Sequence, residues 1–176
     1  IARGLVGRGD RVLITGRDET KLEALADELE ALAAERDAAT GSPSTAAAPS
    51  AGARPTVIAK NLLLDDAPSV IADAARRSGE VTDVVLACGP FPRTPIEQLA
   101  RGDLELTLRV HAIAPLLLVN DLSAELGRHQ GAVVALTDGG VSRPYPNHVA
   151  YLTAKGALQA GLRALAVEHG PHVRLN

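Results

Sequence analysis

The chain has 176 residues, 46% of them apolar, enough for one domain with a substantial core. Its net charge of −3, with acids and bases interspersed, argues against a nucleic-acid footprint. No apolar run reaches the roughly 18 residues of a membrane span, and no segment reads as a signal peptide. The single cysteine, Cys88, excludes an intrachain disulfide framework and suits a reducing cytoplasm.

Ile1 to Val6 reads as the end of a helix closed by Gly7 and Gly9, and Arg11 to Thr15 as a short buried strand. Asp18 is placed to cap a helix running to about Asp37, with Leu22, Leu25, Leu29 and Leu32 at helical spacing. Ala38 to Pro55 is rich in Ala, Ser, Pro and Gly and reads as a flexible surface loop. Thr56 to Ala59 is strand-like, Asp66 to Arg77 helical, and Asp83 to Ala87 a buried strand. Asp103 begins a long helix reaching about Leu126, and Ala132 to Thr137 is another buried strand. The helix from His148 to His169 is stopped by Gly170-Pro171. The chain opens Ile1-Ala2-Arg3 without a methionine and closes as a strand is starting at His172 to Asn176, so a fragment with both ends missing is expected.

Short β-branched strands alternating with helices imply one α/β domain built on a parallel sheet covered on both faces. Ligands of such sheets bind beyond the carboxyl ends of the strands. The residues there are Gly16-Arg17, Asn61, Cys88-Gly89-Pro90-Phe91 and Asp138-Gly139-Gly140.

Tyr151 and Lys155 stand four apart at the start of the last helix and share one face of it. An ammonium beside a phenol favours the phenolate and is expected to lower the Tyr151 pKa from about 10. Tyr151 is then a candidate proton donor to a reacting atom. Asp138 lies at the end of a strand, 13 residues before it.

These segments resemble the short-chain dehydrogenase/reductases over nearly the whole chain. T-G-R-D-E-T-K-L is similar to that family's second strand and following helix, and D-V-V-L-A-C-G-P-F to its fourth strand and N-N-A-G turn. A-Y-L-T-A-K-G-A-L is similar to its active-site helix. The resemblance implies a Rossmann-like doubly wound fold, a nicotinamide cofactor and a tyrosine acid/base. It also implies a lysine that holds the ribose and tunes the tyrosine, and homo-oligomers, tetramers or dimers. Where most of the family has Ser, this chain has Asp138, as in the pteridine reductases and dihydromonapterin-reductase-like enzymes. H-A-I-A-P, His111 to Pro115, and G-P-F-P-R-T-P, Gly89 to Pro95, resemble segments of the same subgroup, in which the Phe, here Phe91, stacks on the pterin ring.

Other positions depart from the family pattern. The turn reads Leu86-Ala87-Cys88-Gly89, so its usual Asn is Ala87, and His111 replaces an Asn that supports a proton relay. The G-x-x-x-G-x-G phosphate loop is absent, so the chain as given is expected to bind cofactor poorly. By the same resemblance Arg17 follows the strand that meets the adenosine ribose. An Arg there pairs with a 2′-phosphate, which implies NADPH over NADH, with Gly16 permitting close approach. Asn61 is a candidate contact to the adenine edge.

Tyr145, between Pro144 and Pro146, suits either the substrate mouth or a stiffened loop, and Cys88 reads as a small buried residue. The two R-G-D triplets, Arg8 to Asp10 and Arg101 to Asp103, fall at helix ends where Gly and Asp serve turns and caps. The five His have no metal-ligand spacing. Small residues in the last helix (Ala154, Gly156, Ala157, Ala160 and Gly161) suit either subunit contacts or packing on the chain's own core.

Three functions follow. The first is an NADPH-dependent reductase of a pterin-like small substrate, with Phe91, Asp138 and Tyr151 at the substrate. The second is a general carbonyl or alcohol reductase, with Asp138 or Thr137 in place of the Ser. The third is a non-catalytic nucleotide-binding relative.

Overall fold

The computed structural model describes residues 1–40, 54–87 and 89–176. The loop expected over Ala38 to Pro55 falls largely outside these residues, as does Cys88; residues 38–40 are helical instead. The fold is α/β and Rossmann-like, and every strand pair is parallel. It comprises two compact units, Ile1–Asn61 and Leu62–Asn176.

The first unit runs α1 (Ala2–Arg8), β1 (Leu13–Gly16), α2 (Glu19–Thr40) and β2 (Thr56–Ala59). Strands β1 and β2 pair in register from Leu13–Thr56 to Gly16–Ala59. Asp18 caps α2 through the Lys21 amide, which donates to Oδ1 at 3.1 Å. Gly9 closes α1 at φ 96°, a left-handed conformation that suits glycine, so the first R-G-D triplet is a helix stop. The buried stripe of α2 is Leu22, Ala26, Leu29 and Ala33, packed against Val6 and Ile14. Leu25 and Leu32 only flank it. Spacings of four and three follow the 3.6-residue turn, so alanines complete a stripe that leucines alone suggested.

The second unit contains α3 (Ala67–Ser78), β3 (Asp83–Leu86), α4 (Arg101–Leu108), α5 (Ala114–Asp121), α6 (Ser123–Arg128), β4 (Ala132–Ala135), α7 (Val149–His169) and β5 (Arg174–Leu175). Its sheet has the order β3-β4-β5. The single helix expected from Asp103 to Leu126 is three helices. A π-helical turn, Arg109–Ile113, joins α4 to α5, and the chain bends again at Leu122. Pro115 accounts for the first break. It has no amide to bond the His111 carbonyl, and its ring presses on that carbonyl, so the turn widens. The Ala114 amide bonds Arg109 O, the longer span of a π turn.

Helix α7 packs with Ala154, Leu158 and Leu162 buried. A Cβ on Gly161 would come within 2.5 Å of the Leu116 side chain of α5. At Ala154 and Gly161, therefore, the small residues serve packing within this chain. Gly131 is tighter still, since a Cβ there would lie 2.1 Å from the Thr82 carbonyl oxygen, a backbone atom that cannot swing aside. Gly131→Ala is expected to cost about 1–3 kcal/mol, read as a lower denaturation midpoint at unchanged slope. Gly102→Ala, with nothing within 4 Å, is expected to be neutral or slightly stabilising.

Candidate active site

The residues after β3 and β4 and at the start of α7 converge at the carboxyl end of the second unit's sheet. Beyond β3, Gly89 has φ 120°, and a Cβ there would sit 1.9 Å from the His111 ring. Glycine is required on both counts. His111 is 1% exposed, and its Nε2 lies 2.9 Å from Pro90 O. A carbonyl only accepts, so Nε2 carries the proton. The widened turn at His111 thus holds the loop that presents Phe91.

Beyond β4 the chain stays extended through Asp138, whose carboxylate meets three donors. The Gly140 amide donates to Oδ1 at 2.7 Å. The hydroxyls of Tyr145 and Tyr151 both donate to Oδ2, each at 3.1 Å. Gly140 is needed here for space, because a Cβ would fall 2.3 Å from the Tyr145 ring and 2.9 Å from Asp138 Oδ1. Lys155 is 5% exposed. Its Nζ donates to Leu136 O, at the end of the same strand, at 2.7 Å and lies 5.8 Å from the Tyr151 ring centroid. Thr107 pins the start of α7 to α4 through a bond from its hydroxyl to Ala150 O at 3.1 Å.

The electrostatics differ from the sequence expectation in one respect. The Gly140 amide, foremost, and the two phenols hold the Asp138 carboxyl below the usual carboxylate range, with a smaller pull from Lys155. Tyr151 is raised, not lowered. Burial, together with the anion of Asp138, pushes it up to about 12, so the phenol keeps its proton through the neutral range. Burial and Asp138 also raise Tyr145.

All three Phe and Tyr residues of the chain meet here. Phe91 stacks on His148 at 4.1 Å and 11°, and stands edge-on to Tyr151 at 4.7 Å. Two hydrogen bonds join the flanking loops: His148 Nδ1 lies 2.9 Å from Pro92 O, and the Thr94 amide donates to Asn147 O at 2.6 Å. His148, the first residue before α7, backs the Phe91 ring, a role that its place in the sequence does not signal. Tyr145, which suits either the substrate mouth or a stiffened loop by sequence, bonds Asp138.

The remaining candidates lie in the first unit. Gly16 ends β1, and the Lys60 amide bonds Gly16 O, so Arg17 and Asn61 leave from the carboxyl ends of paired strands. Both are exposed. A Cβ on Gly16 would make only ordinary contact with Leu22, so packing within the unit does not require glycine there. Among the described residues no group of three metal-ligating side chains occurs, and no helix is long and apolar enough to cross a membrane.

The raised Tyr151 pKa sets a stability window. The folded state favours the neutral phenol, so the stabilisation is complete below the unfolded value of about 10. It is lost as pH rises through about 12. In Tyr145→Phe, Tyr151 is the only phenol, and its tyrosinate absorbance should appear near that value. A midpoint near 10 would contradict the geometry.

Among solved structures the chain is similar to L-sorbose reductase from Gluconobacter frateurii, complexed with NADPH and L-sorbose, at 18% identity and a TM-score of 0.82. That match covers 98% of this chain and 60% of the other. An alcohol dehydrogenase from Thermococcus sibiricus, complexed with 5-hydroxy-NADP, matches at 20% identity and a TM-score of 0.77, over 99% of this chain and 66% of that one. Acetoin dehydrogenase from Enterobacter cloacae matches at 21% identity and a TM-score of 0.80, over 98% and 63%. The chain thus spans about three-fifths to two-thirds of the length of these structures. A family model described as enoyl-(acyl carrier protein) reductase matches residues 63–176, the segment that carries Phe91, Asp138, Tyr151 and Lys155, and the chain belongs to the short-chain dehydrogenase/reductase family.

Proposed function

We propose that the protein is an NADPH-dependent oxidoreductase that reduces a small planar substrate, with Tyr151 as the proton donor. The observation that carries this reading is the bond from the Tyr151 hydroxyl to Asp138 Oδ2 at 3.1 Å, beside the edge-on ring of Phe91 at 4.7 Å. A phenol held neutral to high pH is populated in its donor form, which suits reduction over oxidation. By resemblance to the family, residues within each unit suit the cofactor. Arg17 offers an exposed guanidinium fork for a 2′-phosphate, beside a Gly16 that puts no side chain in the way. Asn61 suits the adenine edge. The Lys155 ammonium suits ribose hydroxyls, and Gly89 leaves the rim loop without a side chain at its turn. NADPH, when bound, supplies the hydride. Tyr151 gives its proton to the reduced atom, and Asp138 orients the phenol.

For the substrate we favour a pterin-like ring. Phe91 is 56% exposed although one face is stacked on His148, and it stands edge-on to Tyr151. This arrangement suits an aromatic partner near the proton donor. A second reading, a carbonyl or alcohol substrate, is favoured by the similar folds of the L-sorbose, alcohol and acetoin enzymes. Dihydropterins and a ketone panel assayed for NADPH oxidation by the full-length protein distinguish the two. Activity on dihydropterins alone supports the first, activity on ketones alone the second, and no activity on either defeats both. Tyr151→Phe is expected to lower kcat/KM roughly hundredfold or more. Arg17→Ala is expected to raise KM for NADPH roughly tenfold or more while leaving KM for NADH nearly unchanged. Equal effects on the two cofactors would refute the 2′-phosphate assignment.

A further inference from the structure

Tyr145 takes no part in the reading above, yet its hydroxyl donates to the same carboxylate oxygen as that of Tyr151, at the same 3.1 Å. The arrangement is built. Gly140 fixes the other carboxylate oxygen at 2.7 Å and, by lacking a Cβ, makes room for the Tyr145 ring. The two phenols differ in access. Tyr151 is 8% exposed, between the Phe91 edge contact at 4.7 Å and the His111 ring at 5.2 Å. Tyr145 is half-buried on the outer loop. A buried donor that gives up its proton needs a path by which to regain it, and Asp138 is the polar group joining it to a phenol nearer solvent.

We propose that Tyr145 is the solvent-side member of a proton relay, Tyr145–Asp138–Tyr151, that restores the Tyr151 proton after each transfer. This rests on Tyr151 being the donor. After Tyr151 has lost its proton to the substrate, the Tyr145 O–H bond breaks and its proton passes to Asp138 Oδ2. From the same oxygen a proton passes to the Tyr151 phenolate. Asp138 ends as the carboxylate it began as, and the Tyr145 phenolate takes a proton from water, leaving hydroxide for the buffer to neutralise. Tyr145 acts through Asp138, so it is a positioning and relay residue with no contact to substrate required.

In the full-length enzyme Tyr145→Phe is expected to slow steady-state turnover about tenfold, and imidazole buffer at fixed pH to restore it, since a small diffusible acid replaces the lost phenol. Turnover unaffected by Tyr145→Phe, or slowed without recovery in imidazole, overturns the relay. A second arm needs no turnover. With two tyrosines and no tryptophan in the chain, Tyr145→Phe and Tyr151→Phe each leave one titrating phenol. Adding Asp138→Asn to either is expected to lower the remaining tyrosinate midpoint by about one pH unit or more. Asp138→Ser takes its place if Asp138→Asn does not fold by circular dichroism. A lowering in only one of the two backgrounds overturns the shared carboxylate, and the relay with it. A wild-type enzyme that turns over no substrate defeats the oxidoreductase reading instead, and the titration still judges the phenol pair.

Discussion

The site depends on one carboxylate with three donors on it. Asp138 stands where β4 ends, and its charge is held by a backbone amide on one oxygen and two phenols on the other. Each bond has a second consequence. The Gly140 amide stops the carboxylate from rotating. The Tyr145 bond ties the Pro-flanked loop back to the strand. The Tyr151 bond sets where the first turn of α7 points its hydroxyl and adds to burial in making that phenol a weaker acid than a free tyrosine. An anion at a strand end is costly to bury alone, and with three donors it becomes the organising charge of the rim.

The aromatic wall has a different origin. Pro115, in the middle of a helical stretch, forces the wide turn that carries His111. His111 in turn fills the space over Gly89 and bonds the carbonyl of Pro90, one residue before Phe91. On the other side His148 bonds Pro92 O and stacks on the Phe91 ring. A break in one helix, the glycine of one turn and the first residues of another helix therefore decide together where the only phenylalanine stands. A substitution at Pro115 would reach the site without touching it.

Much of this was legible in the residues, and the failures have specific causes. The alternation of short strands with helices, the Asp18 cap and the helix that carries Tyr151 and Lys155 all follow from local propensity, and local propensity decided them. The break after Leu108 was signalled by Pro115, but the apolar run around it argued for continuity. The buried stripe of α2 was half concealed because alanine packs in a core without announcing itself in a helical pattern. The direction of the Tyr151 pKa is opposite to the one its sequence spacing suggests, because that spacing places Lys155 on the same helix face without saying where its long side chain ends. It ends on Leu136 O, while Asp138, two residues further along the same segment, bonds the phenol.

The sequence by itself determined the fold class and which residue types stand just beyond the strands. These rest on periodicities and strand-end positions that each segment carries alone. Only the tertiary structure decided that Tyr145 shares Asp138 with Tyr151, that His148 backs Phe91 and that Tyr151 is made a weaker acid. Each of these depends on distances between residues on different elements, and only the packing of one element against another sets such distances.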